Sequence, residues 1–315
     1  MVTLNVYPDH NFLIDCSKSA EWRKVAIEAR RVGRFNLVLS AWHFYEYGNG
    51  SAYADNEAVI QFAENLDPLW ILERADLQHR EFLAVWNRIW NGCDQEFQPI
   101  GSLAEASAAL NRVPVERMAR YTIRDYIGSF SAPGALDEMR RVMAEQADIG
   151  KFLSAKYTEN HHKILGILPL IELQYVAMQL ARRNQIIPAR VYAAAERLMR
   201  TEPIATQIKC FAYWRCTEYL KAYKTESAFS WGRYMTSVDR TPNPQIPALS
   251  PGRQIDRHHA TVALPYCDVF VTSDVDLRKR CDRVKRELRF PTAAVLSCEE
   301  FITDLSRALA AASSP

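Results

Sequence analysis

Ile255-Asp256-Arg257-His258-His259-Ala260-Thr261-Val262-Ala263-Leu264-Pro265-Tyr266-Cys267-Asp268-Val269-Phe270-Val271-Thr272-Ser273-Asp274 is the stretch that decides the fold. It reads as a helix, a tight turn and a buried strand ending in an acid. Asp256 suits a helix N-terminus, so the helix is expected to open there. Val269-Phe270-Val271-Thr272 is a short β-branched and aromatic run, the kind that forms a central strand of a parallel sheet. One carboxylate then stands at the start of the helix and a second, Asp274, at the carboxyl end of the strand. Ligands of open α/β sheets bind at that end. Like charges gathered there repel unless a cation lies between them.

Working outward, residues 277–289 form a strongly basic predicted helix, 291–296 a last parallel strand and 298–311 a closing helix. At the other end of the chain, residues 2–7 alternate and are rich in strand formers, and the run stops at Pro8-Asp9-His10-Asn11. A packed element starts over 12–14, a charged periodic helix covers 17–31, and a second strand covers 35–40. That strand leads into Ala41-Trp42-His43-Phe44-Tyr45-Glu46, with Glu46 on the helix that follows. A helix over 56–65, a short edge strand over 67–72 and an amphipathic helix over 77–90 come next, the last with Phe82, Val85, Trp86 and Ile89 on one face. Strands separated by helices at both chain ends predict an α/β fold with one central parallel sheet.

Strand signals vanish between about residues 91 and 234, where segments near 103–111, 115–126, 135–157, 160–180, 188–200 and 203–224 read as helices. Pro242, Pro244, Pro247 and Pro251 make 237–252 an extended return loop. The expected organisation is a core of 1–90 and 245–315 with a helical insertion over 91–244.

The chain has 315 residues and a formal net charge of +2, so it is no polycation, and an anionic partner must be held by local basic patches. Its seven cysteines are scattered with no CxxC pair. This argues against a disulfide framework or a structural zinc site and suits a reducing cytoplasm. The first residues lack the basic and apolar segments of a signal peptide, and no apolar run reaches the length of a membrane span.

Four acids occupy comparable places. Asp9 ends the first strand, Glu46 follows the second, Asp256 opens the helix before the third long strand, and Asp274 ends that strand. In a parallel sheet wound this way all four converge at one edge. Hard oxygen donors of this kind suit Mg²⁺ or Mn²⁺, which keep several waters and bind through few carboxylates plus substrate phosphate. A divalent ion there lowers the pKa of a bound water and neutralises charge on a phosphodiester under attack.

On these residues the chain resembles the PIN-domain nucleases, the fold shared by toxin ribonucleases of bacterial toxin–antitoxin pairs and by RNA-processing endonucleases. Asp9-His10-Asn11 after a strand resembles the family's D-x-N opening, and Glu46 after a strand ending in Leu39-Ser40 resembles its second acid. Asp256 with Ala260, followed by Val271-Thr272-Ser273-Asp274, resembles its last two acids. The resemblance covers roughly the first ninety and last seventy residues, and the long helical middle departs from small toxins.

The resemblance implies a three-layer PIN-like fold and metal-dependent hydrolysis of phosphodiesters, most often in RNA, with Mg²⁺ or Mn²⁺. Asp9, Glu46, Asp256 and Asp274 would hold the metal; Asn11 and Ser273 would orient ligands or contact phosphate; Asp276 is a further acid near the site. The basic helix offers Arg278 and Lys279 to substrate phosphate. DNA as substrate, an antitoxin-like protein partner and a homo-oligomer are compatible with the resemblance.

Plainer readings stand beside these. Asp268 fits a turn or structural hydrogen bond, and His258 and His259 fit packing. Arg117, Arg120, Arg124, Arg140, Arg141, Arg182 and Arg183 with Tyr121 and Tyr126 fit the charged exterior of a helical core better than a second nucleic-acid surface. Trp86, Trp90, Tyr213 and Trp214 fit core positions. The competing functions are a catalytically silent PIN-like RNA-binding or scaffold module and a haloacid-dehalogenase-type phosphatase. The latter needs an Asp-x-Asp pair, and Asn11 stands where the second Asp belongs.

Overall fold

The computed structural model describes residues 3–40, 42–43, 53–74, 76–78, 80–81, 84, 96–111, 114–125, 224–225, 227–229, 232, 251–288 and 290–313. In chain order the elements are β1 (Leu4–Pro8), α1 (His10–Lys18), α2 (Ala20–Arg31), β2 (Phe35–Leu39), α3 (Tyr53–Asn65), β3 (Leu69–Ile71), β4 (Ile100–Gly101) and α4 (Leu103–Asn111). A 3₁₀ turn (Val115–Met118) follows, then α5 (Pro251–Tyr266), β5 (Val269–Val271), α6 (Val275–Glu287), β6 (Ala294–Leu296) and α7 (Cys298–Ser313).

The strands make one six-stranded sheet in the order β4-β3-β2-β1-β5-β6, parallel except for the pairing of β4 with β3. The chain is therefore an α/β protein, and strands from its two ends meet at the centre. Pro8 of β1 lies opposite Val271 of β5.

Alternation along each strand explains the layers. Val6, Leu37, Leu39, Val269 and Val271 join one core with residues of α1, α2, α3 and α7. Tyr7, Val38 and Phe270, one register position away, join a second core with residues of α5 and α6. Successive strand side chains point to opposite faces, so a β-branched run buried on both sides needs helices on both sides. Phe12, Phe35 and Phe301 meet edge to face, with ring centroids 5.7 and 5.6 Å from Phe301. Each such ring contributes roughly 1.5–3 kcal/mol by leaving water.

Several expectations are corrected. The helix expected over 17–31 is two helices, divided at Ser19, whose hydroxyl caps Trp22 N at 3.2 Å. The continuous charge pattern hid a residue whose side chain competes for backbone N–H groups. At the end of α2 the backbone closes with Gly33 N to Arg30 O and Arg34 N to Ala29 O, and Gly33 has φ 72°. That left-handed position favours glycine.

The helix expected to open at Asp256 opens at Pro251. Proline has no N–H to lose in a first turn, so it starts helices as readily as it marks loops. Asp256 thus lies in the second turn and is no N-cap, and 251–252 leave the expected return loop. Pro8-Asp9-His10-Asn11, where the first strand was expected to stop, leads straight into α1, which begins at His10 with Asp9 as its N-cap. The strand expected at the sheet edge, β3, is covered by β4, with Trp70 opposite Gly101.

Strand β4 also falls within 91–244, where no strand was expected, and Ala106 and Ile123 from that range belong to the first core. Part of the expected helical insertion is therefore built into the sheet layer. The helices expected over 135–157, 160–180 and 188–200, almost all of 203–224, the loop over 237–250 and most of 77–90 lie outside the described residues, as do Tyr126, Trp86, Trp90, Tyr213, Trp214, Arg140, Arg141, Arg182 and Arg183. No helix among the described residues is long and apolar enough to cross a membrane.

Candidate functional site

Strand order reverses direction at β1: β2 and β3 lie to one side, β5 and β6 to the other. The crevice outside the carboxyl ends of β1 and β5 is the sheet's switch point, the ligand position in open α/β folds. Asp9 and Asp274 stand on either side of it.

Asp9 follows β1 and is only 6% exposed. Its N–H donates to Val271 O at 2.7 Å, continuing the β1–β5 ladder. Its Oδ1 accepts from Phe12 N at 3.1 Å, capping α1. Its Oδ2 accepts from the Thr272 hydroxyl at 2.5 Å. The same hydroxyl oxygen accepts Asp274 N–H at 3.1 Å. One hydroxyl thus donates to one acid and accepts from the backbone of the other, which uses its single donor and one of its two lone pairs.

Asp274 caps α6, with Oδ1 accepting from Leu277 N at 2.8 Å. A capping contact of this kind is worth about 1 kcal/mol. No partner engages Asp274 Oδ2 among the described residues. Three helices (α1, α6 and α7) begin where β1, β5 and β6 end. Their N-terminal N–H groups and dipoles make this edge favourable for anions.

Asp256 lies in α5, where Arg280 Nη2 approaches its Oδ2 at 3.4 Å. Arg280 belongs to α6, the helix that Asp274 caps, so the three described acids are carried by neighbouring elements. Asp256 is nevertheless neutralised by a guanidinium, which sequence reasoning had counted only among the basic charges of α6. Glu46 lies outside the described residues. Among the described residues no group of three or more His, Cys, Asp or Glu is arranged to hold a metal ion. The donors at the switch point are nonetheless all hard oxygens, carboxylates and hydroxyls, which suit Mg²⁺ or Mn²⁺ by type.

The expected phosphate contacts divide. Asn11 is exposed in the first turn of α1, and Ser273 is exposed between Thr272 and Asp274. Ser273 hydrogen-bonds Cys298, whose thiol burial pushes up to about 12, with the Ser273 contact opposing and the charges of Asp9 and Asp15 adding to the rise. Arg278 pairs with Glu300 at 3.2 Å. Glu300 also accepts Ser297 N at 2.7 Å, the return half of a capping box at the start of α7. Lys279 is exposed, as are Asp276 and Arg286. Leu277, Cys281 and Val284 face the second core, so Lys279 and Arg286, seven residues apart, share the outward face of α6.

The plainer readings hold at three places. Asp268 Oδ2 accepts Asn5 N at 2.7 Å, a structural bond between β1 and the turn before β5. His258 is buried and stacks on Trp42, centroids 4.1 Å apart. Arg124 is held by both oxygens of Glu57 at 2.6 Å, and Tyr121 packs on the first core.

Sequence reasoning missed the buried polar cluster beneath the switch point. The Tyr7 hydroxyl lies 2.6 Å from Ser40 Oγ and 2.7 Å from His259 Nδ1. Ser40 N donates to His43 Nδ1 at 3.0 Å, and His43 Nε2 lies 2.8 Å from Pro8 O. Burial, reinforced by His259, holds His43 well below the ordinary imidazole range, while the Pro8 carbonyl opposes it weakly. Burial lowers His259 to about 3. Both rings are neutral at physiological pH. The chain matches no protein-family model, and neither curated proteins nor solved structures include a significant match to it.

Proposed function

We propose that this chain is a Mg²⁺- or Mn²⁺-dependent nuclease, built on a PIN-like arrangement of its sheet, that hydrolyses phosphodiester bonds in RNA. The observation that carries the reading is the pairing of Asp9 and Asp274 across the switch point through Thr272. In this reading Asp9 and Asp274 hold the metal, with Asp256 and Glu46 completing the set. Bound there, the ion supplies a water of lowered pKa and neutralises charge on the phosphodiester.

The protein's own part is orientation and charge. Phe12 N–H and the Thr272 hydroxyl fix the plane of the Asp9 carboxylate. Asp274 engages its cap through Oδ1, which leaves Oδ2 outside that contact. Substrate phosphate meets the N-terminal turns of α1 and α6, with Asn11 and Ser273 as amide and hydroxyl contacts. Arg280, which pairs with Asp256 at 3.4 Å, would exchange it for a phosphate oxygen, leaving Asp256 available as one of the residues that would hold the ion. Lys279 and Arg286 then track the next phosphates along α6, about 10 Å apart at 1.5 Å per residue.

The Asp256–Arg280 pair equally favours a second reading, a PIN-like module that binds RNA without cutting it, because an acid held by arginine is withdrawn from a metal. A cleavage assay of the purified full chain on single-stranded RNA with Mn²⁺, with and without chelator, separates the two. The nuclease reading expects chelator-sensitive cleavage that Asp9→Asn and Asp274→Asn each reduce at least ~100-fold, since a metal supplies several kcal/mol at 1.4 kcal/mol per tenfold. Binding without turnover in any divalent ion supports the silent module. Cleavage untouched by both substitutions discards the metal site.

A further inference from the structure

Tyr7, Ser40, His43 and His259 are all buried. A polar cluster in a dry core is costly unless every member is satisfied, and a satisfied cluster fixes one geometry. The donors here are ordered. Because Ser40 N–H points at His43 Nδ1, that nitrogen accepts, so the ring proton is on Nε2 and donates to Pro8 O at 2.8 Å. The Tyr7 hydroxyl joins Ser40 Oγ on β2's end to His259 Nδ1 on α5. The rings pack closely as well: Tyr7 and His43 centroids are 4.8 Å apart, as are those of His43 and His259.

Each member lies on a segment that carries one of the acids. Pro8 immediately precedes Asp9, and Tyr7 precedes Pro8. His43 stands three residues before Glu46. His259 stands three residues after Asp256, one turn along the same helix. The fourth acid, Asp274, is tied to Asp9 by Thr272. The described acids Asp9 and Asp256 therefore each lie within three residues of a network member on their own segment.

We propose that Tyr7, Ser40, His43 and His259 form a positioning network that sets the places from which Asp9 and Asp256 reach the divalent ion. They touch neither ion nor substrate. His43 holds the backbone at Pro8, which aims Asp9. The Tyr7 hydroxyl holds α5 at His259, which aims Asp256. Partners at one remove from a metal commonly change its affinity 10–100-fold. This inference rests on the nuclease reading.

The test is Mn²⁺ calorimetry on the full chain, with metal-free thermal unfolding measured alongside. Wild type reports on the nuclease reading: no Mn²⁺ binding at millimolar metal sinks that reading and this inference together. Given binding by wild type, Tyr7→Phe and His43→Leu are expected to weaken it by ~10–100-fold. His43→Gln, whose side-chain amide N–H still reaches Pro8 O, is expected to recover most of the loss. Wild-type Mn²⁺ affinity in Tyr7→Phe and His43→Leu, with only unfolding temperature lowered, overturns the positioning role. His43→Gln no better than His43→Leu overturns the assigned Pro8 contact. A readout without substitution covers variants that fail to fold. In histidine-labelled wild type, Mg²⁺ saturation is expected to shift the ring nitrogen resonances of His43 and His259, and unmoved resonances overturn the proposal.

Discussion

The Thr272 hydroxyl hydrogen-bonds Asp9 Oδ2 at 2.5 Å, joining two residues 263 positions apart at the meeting of β1 and β5. Thr272 is fully buried and also receives Asp274 N–H. Thr272→Val keeps the shape and removes the hydroxyl, leaving a carboxylate oxygen and a backbone donor without this partner. Hydrogen bonds to charged groups are worth roughly 1.5–3 kcal/mol, and stability is expected to fall by about that amount. Mn²⁺ affinity is expected to drop about 10-fold or more. Denaturant unfolding and Mn²⁺ calorimetry check both, and an unchanged affinity would separate Thr272 from the site.

Glu81 gives the fold a pH dependence of unusual sign. It is 1% exposed; Oε1 accepts Thr225 N, the Thr225 hydroxyl and the Tyr266 hydroxyl, while Oε2 has no partner among the described residues. Burial raises its pKa from 4.5 to about 7, with the Tyr266 and Thr225 contacts opposing. Between those values the native state holds a proton that the unfolded chain has lost. The contribution is therefore whole below about 4.5 and lost as pH rises through about 7. Its size is on the order of 3 kcal/mol. His43 and His259 act oppositely, losing stability on acidification below the ordinary histidine value of 6.5. The difference in unfolding free energy between Glu81→Gln and wild type isolates the carboxyl: it is expected to be near constant below pH 4.5 and to rise in favour of the variant up to about pH 7. A pH-independent difference would contradict this.

Phe301 carries the closing helix onto the first half of the chain through Phe12 and Phe35. Phe301→Ala leaves a cavity between α7 and the sheet and is expected to cost about 3–5 kcal/mol in denaturant unfolding. A cost below about 1 kcal/mol would mean that α7 contributes little to the core.

Lys279 and Arg286 share the outward face of α6, whereas Arg278 and Arg280 are held by Glu300 and Asp256. RNA affinity of Lys279→Ala and Arg286→Ala is expected to lose salt dependence by about 0.7 in the slope of log K against log salt per phosphate contact removed. Arg278→Ala is expected to change that slope less than either. The reverse order would move the RNA path off this face.

The strands β1, β2 and β5 were legible because an apolar run buried on both faces has few other uses, whereas β6 is exposed to half-buried at the sheet edge. Asp9 and Asp274 were legible as acids where such runs stop. Strand β4 was not, since two residues carry no period, and only its pairing with Trp70 makes it a strand. The start of α5 was misread because Pro251 ends a proline-rich stretch and begins a helix at once. Thr272 to Asp9, Arg280 to Asp256 and the Tyr7–His43–His259 cluster left no local trace. Their bonds join distant segments, and no window along the chain holds both partners.

In the proposed nuclease, oxygens from opposite ends of the chain share one divalent ion at the β1–β5 switch point. Anomalous diffraction at a manganese-sensitive wavelength from crystals soaked in Mn²⁺ tests it most directly. A peak is expected bonded to Asp274 Oδ2 and within ligand reach of the Asp9 carboxylate, lost in Asp274→Asn crystals. Saturating Mn²⁺ with no peak in that crevice, or Arg280 still on Asp256 and the only peak elsewhere, would contradict it.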